Sequence, residues 1–122
     1  MDGLNKRKEN IMIIIAFTNK TSKIIPKIMC RKMKHVAPIF VDKNRLKLIQ
    51  FVHRGTIKKI QIKWRDIQIL KQHGWQFIYL NTRVNRHINY NAWTCVQMVK
   101  NILNITDKKI QTPYALYKYL TQ

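Results

Sequence analysis

The pattern of apolar and polar residues predicts a β-sheet packed by helices. Residues 11–17 are apolar without polar alternation, which predicts a strand covered on both faces. Four later runs are rich in β-branched and aromatic residues and are bounded by turn residues, so they predict an antiparallel meander. Those four runs lie at residues 34–41, 45–53, 56–62 and 75–80.

Helical spacing of apolar residues accounts for most of the remaining chain. The predicted helices lie at residues 23–33, 64–72, 91–103 and 112–120. Gly74 is the expected C-terminal cap of the second helix, and Thr112-Pro113 supplies a cap and an N1 proline for the last. Residues 1–10 are expected to form a basic flexible arm, residues 81–90 a polar loop, and residues 11–122 a single domain of the α+β class.

The third predicted helix carries Cys95 in its first turn. Apolar residues follow Cys95 at i+4, i+7 and i+8, so its side chain is expected on the inward face. Either Asn91 or Thr94 can cap this helix. Free N–H groups at a helix N-terminus favour a thiolate, and we therefore expect a lowered pKa for the Cys95 thiol. The pattern indicates a cysteine nucleophile.

A thiol nucleophile needs a base, and His35 at the start of the strand 34–41 is the preferred candidate. A two-residue turn after Asp42 would pair Asp42 with Arg45. In that register Gln50 is a diagonal neighbour of His35 on the same face, whereas a one-residue slip would bring His53 there instead. Gln50 can hold one imidazole tautomer but cannot stabilise an imidazolium as a carboxylate does.

Each of these residues also has a purely structural explanation. Without Cys95, His35 would be taken as an ordinary strand residue, and Gln50 fits a polar strand-edge position almost as well. His87 is a second candidate base because it precedes Cys95 closely in the chain. Trp93 is expected in the core, with the wall of a substrate slot as the alternative, and Cys30 is expected to pack inside the first helix.

The charge of the chain is strongly unbalanced. Lys and Arg number 24 and Asp and Glu number 5, which gives a formal net charge of +19. Such a charge favours polyanionic partners, among them nucleic acid, anionic lipid and acidic cell-wall polymer. A compositional bias toward Ile, Lys and Asn explains the charge equally well. So few carboxylates argue against paired-carboxylate chemistry and a carboxylate-rich metal cage, and neither a metal nor a cofactor is expected.

Cysteine content and hydropathy bear on the compartment. Two cysteines do not form a disulfide framework, so free thiols in a reducing compartment are expected. The apolar run 11–17 is far shorter than the roughly 20 residues that a membrane-spanning helix needs, and no signal-peptide cleavage site follows it. We therefore expect no transmembrane segment and a cytoplasmic or virion-associated protein.

The order of these segments resembles that of a known family. A strand ending in Ile15-Ala16-Phe17-Thr18 is followed by a helix, by Lys34-His35-Val36-Ala37 on a strand, and by Thr94-Cys95-Val96-Gln97-Met98-Val99-Lys100 on a helix. This order is similar to that of the circularly permuted papain-like hydrolases, the NlpC-type group that includes YiiX-like bacterial proteins and lecithin:retinol acyltransferase relatives. In that group the histidine precedes the cysteine. The closing segment 112–117 is similar to tails of phage and bacterial members.

The resemblance covers most of residues 11–120 and implies a site as well as a fold. It implies a permuted papain-like domain with the Cys helix C-terminal to the sheet, Cys95 as nucleophile and His35 as base. Gln50 would take the third position, where relatives often carry an acid, His or Asn. The implied activity is that of a thiol hydrolase or acyl transferase on amide or ester bonds, with a peptide or peptidoglycan crosslink preferred to a lipid ester. The alternatives are a non-enzymatic, basic nucleic-acid-binding protein and a catalytically inactive papain-like scaffold.

Overall fold

The computed structural model describes residues 8–18, 35–85, 87–88 and 91–122, with side chains from residue 11 onward. The predicted first helix with Cys30, and residues 1–7 of the predicted arm, lie outside these ranges. The described elements are, in chain order, β1 (Lys8–Thr18), β2 (His35–Asp42), β3 (Arg45–His53), β4 (Thr56–Ile62), α1 (Trp64–Gln72), β5 (Gln76–Asn85), α2 (Cys95–Leu103) and α3 (Pro113–Leu120).

The five strands form one antiparallel sheet in the order β4-β3-β2-β1-β5. This arrangement confirms the α+β class and the antiparallel sheet. The strand β1 lies inside the sheet, between β2 and β5, and its side chains from Ile13 to Phe17 are 0% exposed. From Ile13 to Phe17, helices packed on both faces of the sheet leave no solvent-facing side chain on β1, which explains the apolar run there.

The prediction for β5 is wrong in its partner and in its length. Instead of extending the meander from β4, β5 pairs with β1 at the opposite edge of the sheet, and α1 connects the two edges. The strand also continues to Asn85, so half of the predicted loop 81–90 belongs to the sheet. Asn85 pairs with Lys8, and the predicted arm boundary at residue 10 therefore falls three residues too late.

Alternation along the strands builds two hydrophobic layers on opposite faces of the sheet. On one face Ile67 of α1 packs with a cluster that includes Ile14 and Ala16. On the other face α2 and α3 cover a larger cluster that includes Ile15 and Phe17. Neighbouring residues of β1 thus point into different layers, as the period of two in a strand requires.

Local signals set the helix ends as predicted. Gly74 follows α1 with φ of 93°, and the N–H groups of Gly74 and Trp75 donate to the carbonyls of Lys71 and Leu70 at 3.0 and 3.1 Å, a Schellman ending. Thr112 caps α3, its Oγ1 accepting from the Ala115 N–H at 3.1 Å. Within the described part of the chain, no helix has the length and apolar character required to cross a membrane.

Candidate active site

Thr94 sets the position of Cys95 as the first residue of α2. Thr94 is extended, and its Oγ1 accepts a hydrogen bond from the Gln97 N–H at 3.0 Å. The Gln97 side chain accepts in return from the Trp93 N–H, so two of the free donors at this end are satisfied. Of the two predicted caps, Thr94 is therefore the one used. The backbone carbonyl of Asn91 instead accepts from Arg54 Nε at 3.2 Å.

The predicted hairpin register between β2 and β3 is confirmed. Asp42 pairs with Arg45, and the ladder runs from there to Ile39 opposite Leu48. Its extrapolation toward His35 is wrong, because the ladder ends at Ile39. Pro38 comes next along β2 and has no N–H to donate, which is consistent with the end of pairing there.

Beyond this point the two strands keep different partners. The start of β2 stays paired with β1, with His35 opposite Thr18. The end of β3 stays paired with β4, with Gln50 opposite Lys58. The loss of pairing between β2 and β3 leaves room for a cavity at this end of the sheet.

A cavity of about 300 Å³ occupies this region, and the three predicted site residues, Cys95, His35 and Gln50, all line it. The His35 side chain is exposed, and those of Gln50 and Cys95 are half-buried. None of the described lining residues is Lys, Arg, Asp or Glu, although the chain as a whole has a formal net charge of +19. The other lining residues are Ala16, Thr18, Val36, Ala37, Leu48, Phe51, Ile60, Ile62, Leu70 and Trp75.

Burial raises the pKa of the Cys95 thiol, contrary to the expectation from its place at a helix start. The backbone N–H groups of Val36, Val96 and Cys95 itself act in the opposite direction, with Val36 the strongest of the three, but they do not outweigh burial. Desolvation penalises the thiolate more than these donors stabilise it. The Val36 contact also places the sulfur against the residue that follows His35. Cys95 is therefore a protonated thiol near neutral pH and needs a base to become a nucleophile.

We expect alkylation of Cys95 by iodoacetamide to rise with pH about a midpoint above that of a free model thiol, because the raised pKa delays thiolate formation. Peptide-resolved mass spectrometry would follow Cys95 apart from Cys30, with urea-unfolded protein as the control. The raised pKa of Cys95 also makes the stability of the folded protein depend on pH. A folded pKa above the unfolded one gives stability that is complete below the unfolded value and lost as pH rises through the folded value. A midpoint at or below that of the model thiol would contradict the buried, neutral thiol.

The two alternative histidines lie away from this cavity. His53 is exposed beside the β3–β4 turn, with its Nδ1 at 3.1 Å from the Arg54 carbonyl oxygen, and it does not line the cavity. His87 lines a larger depression of about 590 Å³ that Cys95 does not reach. That depression is larger, but it lacks the thiol. Of the predicted histidines in the described residues, His35 is the one that shares a cavity with Cys95.

Two features of the site region escaped the sequence analysis. Trp93 is 66% exposed, so its expected core position is wrong, and the Arg54 guanidinium lies 4.0 Å from the centre of its ring. This cation–π contact ties the β3–β4 turn to the segment before Cys95. Trp75 lines the cavity and stacks on Phe77, with the two ring centroids 6.3 Å apart. The Arg54–Trp93 contact joins distant parts of the chain, so local patterns carry no signal for it, whereas Trp75 and Phe77 are only two residues apart.

Among the described residues, no three His, Cys, Asp or Glu side chains come together in a group that could hold a metal ion.

Comparison with known proteins adds no assignment. No family model matches the chain, and comparisons with curated proteins and with solved structures found no match.

Proposed function

We propose that this protein is a thiol hydrolase or acyl transferase that acts on amide or ester bonds, with a permuted papain-like arrangement of its site. The observation that carries the proposal is the single cavity lined by Cys95, His35 and Gln50, residues that come from α2, β2 and β3. Their order in the chain, histidine before cysteine, supports the same arrangement. In this proposal Cys95 is the nucleophile, His35 the base and Gln50 the residue that orients the imidazole.

The reaction begins with attack of Cys95 Sγ on the carbonyl carbon of the substrate. As the carbon–sulfur bond forms, the thiol proton passes to His35. Collapse of the tetrahedral intermediate breaks the bond to the leaving amine or alcohol, which takes the proton from His35. Water then releases the acyl group as an acid, and an amine or alcohol acceptor would instead give transfer. A neutral thiol suits this sequence, because the proton leaves only as the new bond forms.

Backbone donors near the sulfur are suited to the negative charge that develops on the carbonyl oxygen. The N–H groups of Cys95 and Val36 both lie against Sγ and belong to different elements, α2 and β2. In the proposed reaction they donate to the oxyanion, which is a large source of rate enhancement in acyl transfer.

The cavity lining bears on the substrate. Its described side chains are mainly apolar and none is Lys, Arg, Asp or Glu, so we propose that an uncharged part of the substrate enters it. A peptide or a peptidoglycan crosslink is the preferred substrate class, and a lipid ester is the second. In this proposal, Lys and Arg side chains outside the cavity contact anionic groups that surround the scissile bond of the substrate.

Incubation with an activated ester such as p-nitrophenyl acetate should place one acyl group on Cys95. Intact mass would show the adduct, and peptide mapping would assign it. The Cys95→Ser variant should lose the adduct, whereas Cys30→Ala should retain it. Acylation of Cys30 and Cys95 at equal rates, or no faster than a free thiol, would contradict the proposal and favour an inactive papain-like scaffold. Hydrolysis of muropeptides by the wild type, but not by Cys95→Ser, would identify peptidoglycan as the substrate class.

A further inference from the structure

A basic groove lies on the sheet face that α2 and α3 cover. It encloses about 380 Å³ between the end of β2, the start of β3 and the middle of β4. Half-buried Phe40 and Ile88 form its apolar floor above the buried Ile49, and all three belong to the core layer beneath the helices. Arg45, Lys47 and Lys59 line the groove with exposed side chains. An apolar floor and a cationic rim are thus combined in one depression.

The strand register concentrates these cations on one face. Lys47 lies opposite Gln61, and Ile49 lies opposite Lys59, so the two lysines are diagonal neighbours across β3 and β4. Arg45 precedes Lys47 by two residues and shares its face. Within the described lining, Asp42 is the one carboxylate, opposite Arg45. Like charges at this spacing repel one another in the free protein, and a bound polyanion would relieve that repulsion.

We propose that this groove binds the phosphate backbone of single-stranded nucleic acid. Lys47, Lys59 and Arg45 supply the contacts to phosphate, and the half-buried side chains of Phe40 and Ile88 supply an apolar surface for a base or sugar. A concave groove with an aromatic floor suits a flexible strand better than it suits a flat bilayer. A cationic rim without that floor would serve any polyanion equally.

The groove is separate from the thiol cavity. The cavity lies where β2 starts, at His35, and the groove lies where β2 ends, at Asp42. The two sites also differ in charge, since the described lining of the cavity has no Lys, Arg, Asp or Glu. Nucleic-acid binding by the groove can therefore be tested independently of the chemistry proposed for Cys95.

The test is the affinity of a fluorescein-labelled single-stranded oligonucleotide, measured by anisotropy over a series of salt concentrations. The double variant Lys47→Glu/Lys59→Glu should bind about tenfold more weakly, and its log–log salt slope should be smaller by about 1.4, since each lost phosphate contact on a single strand removes about 0.7. The control Lys108→Glu/Lys109→Glu changes the net charge equally at exposed positions outside the groove, and it should keep the wild-type slope.

Four results would overturn the proposal. Equal losses in the two double variants would mean that binding follows overall charge. Tighter binding of a duplex, equal binding of polyphosphate, or preferential binding of phosphatidylglycerol vesicles would each assign the groove to a different ligand. The rate of iodoacetamide labelling of Cys95 should be the same in all these variants. The experiment therefore distinguishes a failure of the groove proposal from a failure of the proposed thiol activity.

Discussion

Replacing His35 with alanine should slow acylation of Cys95 by an activated ester about 100- to 10,000-fold, the usual contribution of a positioned general base. The reason lies in the thiol itself. Burial raises its pKa, so little thiolate exists near neutral pH and the proton has to be accepted during attack. Imidazole is the side-chain group best suited to accept it in that pH range. Stopped-flow measurement of p-nitrophenol release in the wild type and the variant would give the ratio.

A matched substitution separates a base from a structural histidine. His53→Ala removes an exposed imidazole that does not line the cavity, and it should leave the rate unchanged. Added imidazole should restore part of the rate of His35→Ala and have little effect on the wild type. Equal rates for His35→Ala and the wild type, or a loss that imidazole cannot restore together with a loss of folded protein, would remove His35 from the mechanism.

Gln50 should contribute less than His35 because an amide orients an imidazole without stabilising its charged form. The sequence placed Gln50 beside His35 through an extended β2–β3 ladder, and that ladder ends at Ile39. The structure still gives both side chains a common cavity. Both residues line this cavity at the end of the sheet where β2 and β3 are no longer paired, which is a different reason from the predicted one.

Features set by neighbouring residues were predictable from the sequence. The run from Ile13 to Phe17 indicated a strand covered on both faces because apolar side chains on both faces leave no alternative. The Asp42–Arg45 register followed from the length of one turn. Thr94 and Gly74 set helix ends through contacts within a few residues. In each case the physical cause lies within the segment itself.

Features that depend on distant segments were not predictable in the same way. The strand β5 has the composition of any edge strand, and nothing within it specifies β1 rather than β4 as partner. The pKa of Cys95 depends on how deeply other elements bury the sulfur, and the helix start indicated the opposite direction. Arg54 and Trp93 meet across 39 positions of sequence. Tertiary packing decided all three.

Replacing Phe17 with alanine should lower the free energy of unfolding by about 3–5 kcal/mol, the usual cost of emptying a buried aromatic site. Phe17 is 0% exposed on the interior strand β1, and its ring meets Tyr117 of α3 edge-on, with ring centroids 5.2 Å apart. Urea denaturation would measure the loss, and Met12→Ala, at a 43% exposed position of the same strand, is the control and should cost far less. Equal costs would contradict the burial of Phe17 within the core.

The same substitution links the core to the site. Phe17 pairs with Val36, whose N–H faces the Cys95 sulfur, and the next pair along the ladder is Thr18 with His35. Loss of the Phe17 ring should therefore loosen the strand end that holds both groups, and acylation of Cys95 should slow even at temperatures where the variant stays folded. Phe17→Leu, which keeps most of the buried volume, should recover much of both the stability and the rate. Recovery of stability without recovery of the rate would mean that the geometry at His35 depends on the aromatic contact with Tyr117 rather than on filled volume.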